Sequence, residues 1–251
     1  MKTSDKVLAV LTLFTGTKPE WTIDEAAAEL KLKQTAAYGY FRSLARAGLI
    51  AASRPGRYTI GPAIIELDRL ARRTDQLLAE GCELLNRIVA DAPTPVVALL
   101  CRFYRMKVMC VEQRASSDAD FAVGYERGLL MPLFAGAASK VILANIERRR
   151  LRRFYDEHVA DILAHGLGTS WDEFLSNLRK IRSFPVYVTF GEIDPGRVGI
   201  SAPIILDNGV IGSISLVASD VPYHKSLACR QELERRVSEA ATTLSLRLSA
   251  P

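Results

Sequence analysis

The sequence is poor in the residues that metal binding and nucleophilic catalysis require. Its four cysteines, Cys82, Cys101, Cys110 and Cys229, form no CxxC pair, and only three histidines accompany them (His158, His165, His224). Zinc clusters need closely spaced ligand pairs, so no metal site is expected, and no other cofactor is implied. No GxSxG, P-loop or HExxH sequence occurs, and the histidines lie away from the stretches rich in small residues. The nucleophile–base pair of covalent catalysis is therefore not visible, and no enzymatic activity is expected. Long apolar runs are missing too: none approaches the ~18 residues of a membrane span. The start Met1-Lys2-Thr3-Ser4-Asp5 has no apolar signal core, so the expectation is a cytoplasmic protein with reduced thiols and no membrane partner.

One further absence is local. Between Glu29 and Glu66 there is no acidic residue, while Lys31, Lys33, Arg42, Arg46, Arg54 and Arg57 fall inside. Residues 1–61 carry nine Lys/Arg (2, 6, 18, 31, 33, 42, 46, 54, 57) against five acids (5, 20, 24, 25, 29), an excess of four out of a formal +5 for all 251 residues. Surfaces normally mix both signs, so a one-sided segment points to a polyanionic partner. With 49 % apolar and 24 % charged residues, the chain has material for a sizeable core and two modest domains.

Inside the basic stretch the spacing predicts a winged helix-turn-helix. Ser4 or Asp5 caps a helix over 6–13, and Thr22 with Glu25 makes a capping box for a helix over 23–30. Gln34 to Ala47 reads as the next helix, with Ala37, Tyr40, Phe41 and Leu44 on one buried face. Its other face carries Gln34, Thr35, Tyr38 and Arg42, which can donate to base edges or phosphates. Gly48 closes it, and strands over 49–51 and 58–60 flank the basic turn Arg54-Pro55-Gly56-Arg57. Candidate DNA contacts are Lys33, Gln34, Thr35, Tyr38, Arg42, Arg54 and Arg57.

Downstream, helices are expected over 63–73 and from Thr74 or Asp75 to Val89. The apolar stripe of Ile64, Ile65, Leu67 and Leu70 serves either intrachain packing or association of protomers. Strands are expected over 96–101, 107–113 (around Phe103-Tyr104-Arg105) and 121–124. Helices follow from Ala137 through Ile146, over 147–155 and over 171–183, the last capped by Ser170. Strands over 186–190, 199–206 and 210–219 come next, with the turn Asp207-Asn208-Gly209 between the last two. One long helix runs from Pro222. Strands, helices, strands and a helix make an α+β pattern.

Thr22-Ile23-Asp24-Glu25-Ala26-Ala27, Leu30-Lys31-Leu32, Phe41-Arg42-Ser43-Leu44-Ala45-Arg46-Ala47-Gly48-Leu49-Ile50 and Arg57-Tyr58-Thr59-Ile60-Gly61 together resemble the DNA-binding half of the IclR family of transcriptional regulators. Two departures stand out: Gly39 occupies a place where the family usually has arginine, and Lys33 one where proline is common. They imply altered readout and keep open an alternative, an effector-binding interaction protein with weakened or lost DNA binding. The run from Met131 to Lys140 and the run Glu192-Ile193-Asp194-Pro195-Gly196-Arg197-Val198-Gly199-Ile200-Ser201-Ala202-Pro203-Ile204 resemble the family's effector-binding domain, a GAF-like antiparallel sheet with helices. The resemblance implies an effector pocket of Leu129, Met131, Ala137, Ala138, Ser139, Gly199, Ser201 and Ser215. The amides of Ala137, Ala138 and Ser139 would open a helix and suit a carboxylate. Gly199 and Val217 stand where some relatives have bulkier or more polar residues, which suggests a roomy site for an aromatic or otherwise largely apolar acid. The domain expectation is 1–61 for DNA binding, 62–80 as linker and 81–251 for the effector. Partners would be duplex DNA with a palindromic operator, a small effector, and a second copy in a homodimer or dimer of dimers.

Overall fold

The computed structural model describes residues 3–249, which fall into two units that meet between Asp75 and Gln76. In the first, α1 (Thr3–Leu11) begins earlier than the apolar spacing implies. It takes Ser4 and Asp5 into its first turns, so neither is its cap. After a loop, the two-residue strand β1 (Trp21–Thr22) leads into α2 (Ile23–Glu29). The capping box is present: the Glu25 amide donates to Thr22 Oγ1 at 3.1 Å, and the Thr22 amide donates to Glu25 Oε2 at 3.0 Å. A turn with Lys31 at φ +52° precedes α3 (Gln34–Arg46). Ala37, Phe41 and Leu44 are buried and Tyr40 half-buried. Gly48 closes the helix at φ +70°, a conformation that costs a residue with a Cβ.

The wing pairs β2 (Ile50–Arg54) with β3 (Arg57–Ile60). Strand β1 joins on the far side of β3, giving the order β1-β3-β2, a third strand too short for period-2 alternation to reveal. Val10, Trp21, Ala26, Phe41, Leu44 and Ile50 form the core, with Tyr58 edge-on to Phe41 at 5.1 Å. Helix α4 (Ala63–Thr74) ends the unit and has no buried residue; Ile65 is 74 % exposed, and Leu67 and Leu70 are exposed as well.

The second unit opens with α5 (Gln76–Val89) and the hairpin of β4 (Val96–Tyr104) and β5 (Lys107–Ala115). Pairing continues to Tyr104↔Lys107, so the tip is Arg105-Met106 rather than a turn around Phe103-Tyr104-Arg105. Both tip residues are left-handed, at φ 50° and 57°, as a tight hairpin with right-handed twist demands. Residues 121–124 form no strand. Val123 is buried there, yet the Gly124 amide donates to both carboxylate oxygens of Asp194 at 3.1 Å instead of to a sheet neighbour. The strand at that edge is β6 (Leu130–Met131). Helices α6 (Ala137–Ala144), α7 (Arg148–Glu157), the unexpected short α8 (Val159–Ala164) and α9 (Trp171–Arg182) follow, and Ser170 caps α9 by accepting the Glu173 amide at 3.2 Å. Strands β7 (Tyr187–Phe190), β8 (Arg197–Leu206) and β9 (Gly209–Ser219) complete the sheet. The expected C-terminal helix is two, α10 (Asp220–Lys225), which contains Pro222, and α11 (Leu227–Ser249), with the extended Ser226 between them.

The six strands run antiparallel in the order β6-β5-β4-β9-β8-β7. Both faces are covered, which is why Val96–Cys101 reads as an unbroken apolar run rather than an alternating one. On one face α5 and α11 pack Leu85, Leu233, Val237 and Leu244 against Leu100, Ile200 and Leu216. On the other, α6 and α9 pack Ile142, Leu143 and Phe174 with Leu99, Cys101 and Val108. Among the described residues no helix is long and apolar enough to cross a membrane.

Candidate functional site

Two surfaces carry the residues singled out above. In the first unit, an open groove of about 650 Å³ runs between α2, α3 and the wing, lined by Thr22, Ile23, Asp24, Gln34, Thr35, Tyr38 and Gly56. Lys33 immediately precedes α3 and Arg42 follows Tyr38 one turn later, and both are exposed. Tyr38 is 60 % exposed, an unusual position for a large ring with no core to fill. Several of these groups already have partners. Gln34 donates its amide to Asp24 at 2.7 Å, Arg54 faces Glu20 at 3.9 Å, and Arg57 faces Glu25 at 3.8 Å. Ion pairs this long and this exposed are weak and exchange readily for a phosphate. Gly39 lies in α3 with nothing within 4 Å of where a Cβ would sit, so neither packing nor φ requires glycine there.

In the second unit a small cavity of about 40 Å³ lies under the start of α6. Its floor is one face of the sheet, because the register puts Thr189 opposite Gly199 and Gly199 opposite Val217, with Leu99 opposite Ser215 in the next row. Gly136, Ala137 and Ala138 form one wall, and Tyr125 and the loop 191–194 form the roof. A Cβ on Gly199 would come within 3.3 Å of Thr189 Oγ1 and 3.6 Å of the Ala137 methyl. Gly136 serves twice: its φ is +80°, and a Cβ would lie 2.7 Å from Tyr125 Oη.

Of the expected effector residues, Ala137, Ala138, Gly199 and Ser215 line this cavity. Ser201 lies beneath it, sharing a 2.6 Å hydrogen bond with Ser215 while its hydroxyl donates to Ile214 O at 3.3 Å. Ser139 turns away and shares a 2.8 Å bond with Tyr125 Oη, which donates to Ala135 O at 2.9 Å. Burial pushes the Tyr125 phenol well above its ordinary range, so it stays neutral. Leu129 is exposed and Met131 belongs to edge strand β6; neither lines the cavity. Lining residues outside the expected set include Leu99, Tyr125, Thr189, Glu192, Asp194 and Arg197. Alternation along 187–190 could have found Thr189; Glu192, Asp194 and Arg197 lie in the run 192–204 that carries the family resemblance, which gives them no role, and no local pattern marks Leu99 or Tyr125.

The cavity is small rather than roomy. Glu192 bridges its roof and one wall: Oε2 accepts the Gly136 amide at 2.9 Å and Oε1 the Lys140 ammonium at 2.6 Å. The Lys140 side chain is 4 % exposed. The roof loop is further tied by Asp194 to Gly124, by the Gly191 amide donating to Arg197 O at 2.9 Å, and by the Arg197 guanidinium lying 3.7 Å above the Phe121 ring.

Residues 97–246 match the family model described as bacterial transcriptional regulator IclR C-terminal, more than half of the chain. No curated protein matches. Solved structures with the same fold include an IclR transcriptional regulator from Alicyclobacillus acidocaldarius (19 % identity, 97 % of each chain covered, TM-score 0.79). The IclR of Thermotoga maritima shares 18 % identity over 97 % of this chain and 98 % of its own, with a TM-score of 0.62. An IclR homologue from Microbacterium hydrocarbonoxydans, solved in complex with 4-hydroxybenzoate, shares 16 % identity over 100 % of both chains, with a TM-score of 0.76.

Proposed function

The chain belongs to the IclR family of bacterial transcriptional regulators, and from that premise we propose a DNA-binding regulator in which 1–61 grips an operator, 62–80 links, and 81–251 senses a small organic acid in the cytoplasm. The DNA-facing reading is carried by the outward side of α3, where Lys33, Thr35, Tyr38 and Arg42 stand exposed beside the wing in a stretch without acids. Lys33, Arg42, Arg54 and Arg57 would take phosphates, and Gln34, Thr35 and Tyr38 base edges. The apolar, exposed side of α4 would join protomers, so that two modules straddle a palindromic operator.

The effector reading rests on a cavity between the start of α6 and the sheet, with the Ala137 and Ala138 amides beside it. The 4-hydroxybenzoate carried by the Microbacterium homologue favours an aromatic carboxylate. Ligand binding would bias the placement of the DNA-binding modules only to the extent that the acid prefers one arrangement. Gel shift with the protein's own upstream DNA tests the first half. Arg42→Ala and Arg57→Ala should each weaken binding across sequences and lower the salt slope by about one. Calorimetry with a panel of carboxylates tests the second, and preference for the smallest acids over benzoate would refute the aromatic class. Gly39 favours a second reading, an effector-binding protein that has lost its operator; unshifted DNA at low salt together with intact acid binding would establish it.

A further inference from the structure

A cavity of about 40 Å³ holds one or a few waters, whereas sites for organic ligands measure roughly 300–1,000 Å³. A benzoate-sized acid therefore enters only if the roof moves. The roof is held by an internal carboxylate. Glu192 closes on the Gly136 amide at the head of α6 and on the deeply buried Lys140, which are the partners an incoming carboxylate would seek. No buried side-chain nitrogen or oxygen among the described residues lacks a hydrogen bond, so a carboxylate that reaches the Lys140 ammonium has to displace Glu192 from it, even where the first-turn amides of α6 take its other oxygen. Of the roof's ties, the Glu192 contact alone is carboxylate to ammonium; replacing it with another carboxylate conserves charge and hydrogen bonds on both sides.

We propose that Glu192 is an autoinhibitory stand-in for the effector's carboxylate: the acid replaces it at Lys140 Nζ and the Gly136 amide, and the loop 191–196 lifts away to make room for the ligand's apolar body over Gly199 and Val217. This rests on the effector-binding reading of the same cavity. It assigns the class of effector as a monocarboxylate with a flat apolar body, because the displaced group bears a single negative charge and the floor beneath is apolar apart from Ser215 and Thr189. The closed latch also lowers the apparent affinity by the fraction of molecules that are open.

Calorimetry of the wild type and of Glu192→Ala, with benzoate and benzamide as probes, tests the latch. Without the internal competitor, benzoate should bind about ten-fold tighter or more, while benzamide, which cannot answer the Lys140 charge, gains nothing. If benzoate binds the wild type and Glu192→Ala binds it no tighter, the latch is overturned and the effector reading survives. If benzoate and the wider carboxylate panel bind neither protein, both fall. Should Glu192→Ala not fold with Lys140 unpaired, Glu192→Gln keeps the shape and loses the charge, and the same gain is expected. Hydrogen exchange on the wild type gives an independent readout. Saturating benzoate should speed exchange in 191–196 while Gly136 stays protected, and slower exchange across that loop would overturn the proposal.

Discussion

Gly39 and Glu192 show what a single position can and cannot disclose. Gly39 is exposed, in a helix interior, with open space where a Cβ would go. Gly39→Ala should therefore stabilise the first unit by about 1 kcal/mol, read as a higher midpoint in thermal denaturation. Gly39→Arg should add a phosphate contact and steepen the salt dependence of operator binding. This much follows from the helix period and the family pattern. Glu192 is different: its partners Gly136 and Lys140 are 56 and 52 residues away in sequence, and no spacing rule spans such a distance. Glu25 is intermediate, legible as a capping residue but not as an acid sensor. Hydrogen bonding from the Thr22 amide, aided by Lys18 and Arg57, holds its carboxyl below the ordinary range. A lowered folded-state value means that its contribution is complete above the unfolded pKa and is lost as pH falls through the folded one. Glu25→Gln should accordingly flatten the acid limb of the first unit's stability curve, measured as urea midpoints from neutral pH downward.

Elements defined by their own ends were the legible ones. The capping box at Thr22, the Ser170 cap, Gly48 after α3 and the turn before Gly209 each satisfy a local hydrogen-bonding or φ requirement. Thr22→Ala should cost about 1 kcal/mol through the lost cap, visible as an earlier unfolding transition. Elements defined by their neighbours were not legible. Residues 121–124 are apolar enough for a strand, but the Gly124 amide goes to Asp194, and β1 exists only because β3 lies beside it. Helix α4 is the converse case, with a stripe plain in the sequence and none of its residues buried among the described residues. If that stripe joins protomers, Leu67→Glu with Leu70→Glu should leave the fold intact and shift sedimentation to the monomer. An unchanged sedimentation coefficient would place the association surface elsewhere.

At the scale of the whole effector unit, the sheet has two differently employed faces. Alternate residues of β4 belong to opposite layers: Leu99 borders the cavity, and Leu100 packs against α5, where a Cβ on Gly81 would meet Leu100 Cδ2 at 2.5 Å. Gly81→Ala should cost about 1–3 kcal/mol by overpacking, checked by denaturant titration. Glycine in a helix interior is ordinarily a weak point; the approach of β4 accounts for Gly81. The cavity and the helix that leads out of this unit never share a side of the sheet. If the proposed effector is felt at that helix, the effect has to be handed through the strands, neighbour to neighbour, like pressure felt on the far side of a drumskin.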